Sequence, residues 1–368
     1  MLGSFVAEEF HQLHQRLVTT PGPSLGEEPR RLILEDFFDQ CGLPHQTDAA
    51  GNLWLSLGPA GWDDAIVYDA HIDVVERGWA PKVEFKNGRM IGLGVGDNLT
   101  AVAMLALLAK IIISENLPLQ RPLKLLFSVG EEGLGNLAGV RQAVSNHPTP
   151  PYLFISFDGS YETYSLNALG SNRYRVTVSC PGGHSWSAFG SPNAIEQVTD
   201  FFTRLKQAYA KTAAASTETV SFNIGTISGG EGINSIARSA EATFEFRSGA
   251  PILLAQMHQA VTSIVAAIAT RPDVSIRQTI IGERPAAKPV CPERIEPLVR
   301  QALTKHVGEA EPVLMSTNIN IPLSAGWPAI CVGLCCCPQY HREDEFVELD
   351  SLPKGWAVLN EISQQLLQ

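Results

Sequence analysis

The sequence predicts an α/β fold: a mainly parallel sheet covered by helices on both faces, interrupted by an inserted ferredoxin-like α+β domain. Three observations predict it. From residue 27 to about 168, short apolar segments alternate with helical ones, the pattern of strands buried on both faces between crossover helices. At about residue 170 the strands become one-sided, apolar and polar in turn, as in a sheet with one wet face. After the Pro-rich "GERPAAKPVCP" the first pattern resumes. The expected domains are therefore 1–169 with 283–368, and 170–282.

Taken in order, "EEPRRLILEDFFDQCGLP" reads as an amphipathic helix closed by Gly42 and Pro44. "NLWLSLG" and "AIVYDA" are short strands, and "VEFKNGRMIG" is a hairpin turning on Asn87-Gly88. "NLTAVAMLALLAKIIISEN" is a helix apolar on most sides, hence buried. A strand "PLKLLFSV", a helix near "NLAGVRQAVSN" and a strand "YLFISF" follow. In "NRYRVTVSC", Tyr174, Val176, Val178 and Cys180 fall on one face and Arg173, Arg175, Thr177 and Ser179 on the other. The helix "NAIEQVTDFFTRLKQAYAK", the strands "TVSFNIGTI" and "SAEATFEFR", the helix "ILLAQMHQAVTSIVAAIAT" and the strand "VSIRQTII" complete the order β-α-β-β-α-β. A helix over 292–306, a strand "PAICVGLCC" and a helix from about 351 close the chain.

Composition narrows the function. The chain has 368 residues, more than a single core usually organises. Its net charge of −11 (27 basic against 38 acidic residues) repels nucleic acid and anionic membranes. No run of about 18 apolar residues suggests a bilayer span, and the N-terminus carries acids where a signal peptide needs bases. The expected location is the cytoplasm. Seven cysteines are too few, and odd in number, for a disulfide framework. "LCCCPQYH" looks like half a zinc site, yet its thiols, Cys335 to Cys337, read best as a continuation of the apolar strand before them.

In an open α/β sheet ligands bind beyond the carboxyl ends of the strands. After "AIVYDA" come His71 and Asp73; Asp97 opens the buried helix; Glu131 and Glu132 follow "PLKLLFSV". Asp158 follows "YLFISF", and His341 lies beyond "PAICVGLCCCPQY". Singly these are capping, turn or surface residues. Together they can supply the two histidines and three carboxylates that two zinc ions need if one carboxylate bridges them. Such ions lie ~3.5–4 Å apart and generate hydroxide near neutral pH. Asp73 suits orienting His71 through its other ring nitrogen. Of the adjacent Glu131 and Glu132, one can bind metal while the other acts as general base.

These residues resemble the dinuclear zinc exopeptidases and deacylases of metallopeptidase family twenty, which include aminoacylase-1, carboxypeptidase G, succinyl-diaminopimelate desuccinylase and peptidase T. "DAHIDVV", "GLGVGDN", "SVGEEGLG", "FDGS" and "HREDEFV" carry the likeness in order along nearly the whole chain. The resemblance implies His71, Asp97 and Asp158 on one metal and Asp97, Glu132 and His341 on the other, with Glu131 as general base and Asp73 as the catalytic partner of His71. It implies two divalent ions, zinc first and cobalt or manganese next. It further implies a homodimer formed through the inserted domain. In "CPGGHSWSAFGSPNA", the resemblance makes His184 the candidate to reach the partner's site and stabilise the oxyanion. "GGEGINSIA" and "EFR" resemble the stretches whose Asn and Arg grip the substrate, a small peptide or an N-acylated amino acid, here Asn234 and Arg247; Arg247 reads equally as a surface charge at a strand end. Three segments depart from the family's usual pattern: Asn98-Leu99-Thr100, Asn234-Ser235-Ile236-Ala237 and Ser316-Thr317-Asn318. None removes a ligand.

Two rival readings stand beside this one. A catalytically inactive dimeric binding protein of the same fold would have lost a ligand or the base, and all six positions are intact. A thiol-dependent activity, or a structural zinc site, at Cys335–Cys337 would need a lowered thiol pKa and an adjacent base.

Overall fold

The computed structural model describes residues 5–75 and 78–368. The chain divides into two compact units, Met1–Ala168 with Lys288–Gln368, and Leu169–Ala287. The larger unit is built on an eight-stranded sheet. From one edge to the other its strands are His45–Thr47, Leu53–Leu57, Leu123–Ser128, Ile66–His71, Leu153–Ser156, Ala329–Val332, Thr163–Ala168 and Glu311–Met315. The four central strands, from Leu123–Ser128 to Ala329–Val332, run parallel, while Leu53–Leu57 and Thr163–Ala168 pair antiparallel beside them. The fold is thus the expected α/β class.

Apolar runs without alternation place these strands inside. Every residue of Ile66–His71 is buried. Ile66, Tyr68 and Ala70 join Leu123, Leu125 and Phe127 in the main core, against the helices Leu99–Ser114, Pro292–His306 and Leu352–Leu367. The intervening Val67, Leu126 and Phe154 are also buried, so the sheet is covered on its second face as well. The hairpin turns where expected, with Asn87 and Gly88 at φ 52° and 74° between Glu84–Lys86 and Arg89–Ile91, as a type I′ turn requires.

The last central strand is shorter than "PAICVGLCC" suggests. It stops at Val332, because Gly333 presses against the backbone of Gly159 and Ser160, where a Cβ would collide. Cys335 to Cys337 therefore lie beyond the strand, in the segment leading to His341. Cys335 and Cys337 are buried and Cys336 half-buried. The short edge strand Glu311–Met315 has no counterpart in the sequence reading: only part of it is apolar, and it pairs on one side only.

The smaller unit has a four-stranded antiparallel sheet in the order Val220–Gly229, Ser239–Ser248, Gly170–Ser179, Ser275–Arg284, with helices Ala194–Ala214 and Pro251–Ala269. Tyr174, Val176 and Val178 face its core. Its final strand bulges at Ile280/Gly282 and continues to Arg284, beyond residue 282. Pro251–Ala269 is long and apolar enough to cross a membrane by length and composition. Here it buries one stripe, Leu253, Leu254, Met257, Val261 and Ile268, in the core shared with the sheet strands.

The helix Leu352–Leu367 closes over the segment that carries His341, and Gly355 permits it: a Cβ there would overlap the Leu334 carbonyl. Gly355→Ala should cost at least about 2 kcal/mol, read as a lowered thermal midpoint. An unchanged midpoint would show that this packing is not needed.

Candidate metal centre

Five connections converge at the carboxyl ends of the four parallel strands. His71 is the last residue of Ile66–His71; Glu131 and Glu132 follow Leu123–Ser128; Asp158 follows Leu153–Ser156. His341 lies past Ala329–Val332, and Asp97 precedes the helix Leu99–Ser114. All are buried except His341, which adopts φ 60° at the mouth of the site.

Asp97 stands between two imidazoles. Its Oδ1 is 3.1 Å from His71 Nε2, and its Oδ2 is 3.1 Å from His341 Nε2. Asp158 Oδ2 lies 4.0 Å from His71 Nε2, and Glu132 Oε1 lies 2.8 Å from His341 Nε2. The donor atoms thus form two triplets, His71–Asp97–Asp158 and Asp97–Glu132–His341, with the atoms of each within 4.8 Å of one another. Glu131 falls within the same radius of His71 and Glu132. The sequence-derived ligands are brought together as two sets sharing one carboxylate.

The supports explain why these side chains stay put. Asp73 receives the Glu131 amide on Oδ1 (3.0 Å) and the Glu132 amide on Oδ2 (2.8 Å). The Ser24 hydroxyl donates to Asp73 Oδ2 at 2.6 Å. His71 Nδ1 lies 3.1 Å from the Asp73 carbonyl and 3.4 Å from its Oδ1. One carboxylate therefore orients the first histidine and the backbone of both glutamates. Glu27 Oε1 takes the Gly130 amide at 2.8 Å, and buried Glu345 takes the amides of Gly96 and Asp97, both at 3.0 Å. Asn98 donates to the Phe157 carbonyl at 2.7 Å, tying the Asp97 turn to the strand end before Asp158. Gly96 leaves room for the Cys337 sulfur, which would lie 2.5 Å from a Cβ there.

Ser24, Glu27 and Glu345 were not singled out as site residues. Glu345 had a signal, as the third acid after His341 in "HREDE". Ser24 and Glu27 sit in an N-terminal segment that follows no strand in the sequence, so the strand-end rule could not find them.

Electrostatics show what the cluster lacks. Burial and the nearby Asp97 push Glu132 up to about 7 and Asp158 well above the usual carboxylate range. For Asp97, burial opposes ionisation but His341 and His71 outweigh it and hold it low. Burial likewise opposes protonation of His71, yet Asp73 and Asp97 raise it well above an ordinary imidazole. Asp97 and Glu132 lift His341 to about 10. Four buried carboxylates share too little positive charge.

His71 Nε2 has no hydrogen-bond partner among the described residues, though it faces Asp97 and Asp158. A ring nitrogen facing two carboxylates, with the other ring nitrogen directed at Asp73, is a metal-ligand arrangement once the imidazole is deprotonated. Imidazole and carboxylate donors suit zinc, cobalt or manganese. The residues fit two divalent cations.

The sequence pattern of peptidase family M20/M25/M40 matches residues 67–365. The chain belongs to that family. As a family member it is a metal-dependent peptidase-type hydrolase. Among solved structures, a tripeptidase from Staphylococcus aureus superposes with a TM-score of 0.81 at 18% identity, over 99% of each chain. The aminopeptidase PepT from Bacillus cereus gives 0.74 at 18% identity, over 99% of this chain and 100% of that one. Human carnosine dipeptidase 1 gives 0.71 at 12%, over 98% and 97%. No curated protein sequence matches significantly. At these identities the likeness establishes the fold.

In the smaller unit His184 and Asn234 come together on a two-stranded ribbon. His184 pairs in register with Ser235, and the Ser185 amide donates to the Asn234 carbonyl at 2.9 Å. His184 is exposed and its Nδ1 accepts the Trp186 amide at 3.2 Å. The structure does not bring Arg247 to them. It lies eight residues beyond Ser239 on the same strand, roughly 25 Å away along the strand direction, where it holds Glu245 at 2.9 Å.

Ligands must be deprotonated to bind metal, whereas His71 and His341 hold protons at pH 7 because both are raised. Zinc added at pH 7 in weak buffer should therefore release protons, and apparent affinity should fall as pH falls. A pH-indicator titration checks this, and uptake without proton release would contradict it.

Proposed function

We propose that this family member is a dizinc exopeptidase or amidohydrolase that cleaves amide bonds in small peptides or N-acylated amino acids. The observation that carries the reading is the pair of donor triplets sharing Asp97. The named neighbours support short substrates, since they include a tripeptidase, an aminopeptidase and dipeptidases.

When bound there, two divalent ions supply an acidified water and polarise the scissile carbonyl. The chain's own residues do the rest. Glu131 takes the proton from the attacking water and delivers it to the leaving amine. Its carboxylate is placed for this because its amide is pinned to Asp73. Asp73 also holds His71 in orientation, and Asp97 keeps the two ligand sets in one register. His184 donates to the oxyanion in a homodimer, and Asn234 and Arg247 bind the substrate. The seven free cysteines accord with a reducing cytoplasm.

A thiol mechanism is disfavoured by the site itself. Burial pushes the Cys335 and Cys337 thiols upward, away from the thiolate form.

Metal analysis of the purified chain should find close to two zinc ions per chain. Replacement Glu131→Ala should lower kcat by about 10²–10⁴-fold while metal content stays unchanged. A fully active Glu131→Ala variant would sink the mechanism. Sedimentation should give a dimer, and a monomer with full activity would remove His184 from its role.

A further inference from the structure

One row beneath the ligands lies another carboxylate, which the proposed reaction does not use. Asp69 is fully buried within Ile66–His71. It receives the Ser128 hydroxyl at 2.6 Å, the Ser156 hydroxyl at 2.8 Å and Asn318 Nδ2 at 2.9 Å. Asn318 Nδ2 also reaches Ser128 Oγ at 2.9 Å. Side chains alternate along a strand, so Asp69 and His71 share a face. Register places Ser156 beside Asp69 and Ser128 beside His71.

The spacing gives the cluster its meaning. Asp69 stands two residues before His71, Ser156 two before Asp158, and Ser128 three before Glu131. One carboxylate therefore joins three adjacent strands at the level from which three ligand-bearing connections depart. Asn318 adds the turn after Glu311–Met315. The fold does not require this arrangement. Central parallel strands are ordinarily filled with aliphatic residues, and well-packed apolar groups often replace buried charge without loss of stability. Four polar residues from separate parts of the chain meet here, directly under the donor atoms and nowhere near solvent.

We propose that Asp69, with Ser128, Ser156 and Asn318, is a positioning brace that sets the spacing of His71, Glu131–Glu132 and Asp158 and so sets the affinity for divalent metal. The proposal rests on the metal-centre reading above. Groups that hold metal ligands in place commonly govern affinity by one to two orders of magnitude.

The test is zinc binding by the full chain, measured by competition with a chromophoric chelator. Asp69→Asn keeps the size and removes the charge. It should weaken zinc binding about tenfold or more and alter the visible spectrum of the cobalt-loaded chain, with circular dichroism unchanged. The double replacement Asp69→Asn with Asn318→Asp returns a carboxylate to the other side of the same hydrogen bond and should recover most of the affinity. Zinc binding by Asp69→Asn equal to wild type would overturn the brace, as would a double variant no tighter than the single one. If Asp69→Asn does not fold, Ser156→Ala removes one strut. It should weaken binding severalfold, and unchanged binding would again overturn the brace. A wild-type chain that takes up no divalent metal overturns the reading of the site and the brace with it.

Discussion

Everything at the sheet edge answers to one constraint: Asp97, Glu131, Glu132 and Asp158 are buried together. Like charges held in a low-dielectric setting repel strongly and are poorly screened by salt. The protein meets this in three ways. Imidazoles stand on either side of Asp97, backbone amides are spent on Asp73 and Glu345, and the donor atoms gather into two triplets of the kind that holds a cation. The distorted ionisation of Glu132, Asp158 and both histidines follows from the same crowding.

The constraint also dictates rigidity. Ligands on five separate connections are useful only if their spacing survives thermal motion. Asp73 fixes the two glutamates through their own amides, and Glu345 does the same for Asp97. Nearly all of these contacts run between a side chain and the main chain, and they hold the backbone from which each ligand projects. Packing acts in the same direction. The sulfur of Cys337 rests on Gly96, and Gly333 lies flush with Gly159. A thiol that looks reactive in sequence is a spacer in three dimensions.

Much of this was legible in the sequence. His71, Asp97, Glu131, Glu132, Asp158 and His341 could be found because strand ends in an α/β sheet share one edge, and apolar runs mark the strands. The inserted unit announced itself in the alternation around Tyr174. What stayed hidden depends on long-range proximity. Ser24 and Asp73 are 49 positions apart, and no local pattern joins them. Asp69 was visible as a charge inside "AIVYDAH", but its partners lie on three other segments. Arg247 lies far along the strand Ser239–Ser248, apart from the ribbon that pairs His184 with Ser235.

The strand order has a consequence for how the protein is made. Ala329–Val332 sits between Leu153–Ser156 and Thr163–Ala168, both of which leave the ribosome more than 150 residues earlier. Until it arrives, Leu153–Ser156, which leads to Asp158, is an open edge able to pair with other chains. The whole unit Leu169–Ala287 is synthesised during that interval and can fold as a unit. His341 emerges last of the donors, so the second triplet is completed only when the sheet is sealed. Assembly of the binding site thereby waits on the last of the central strands.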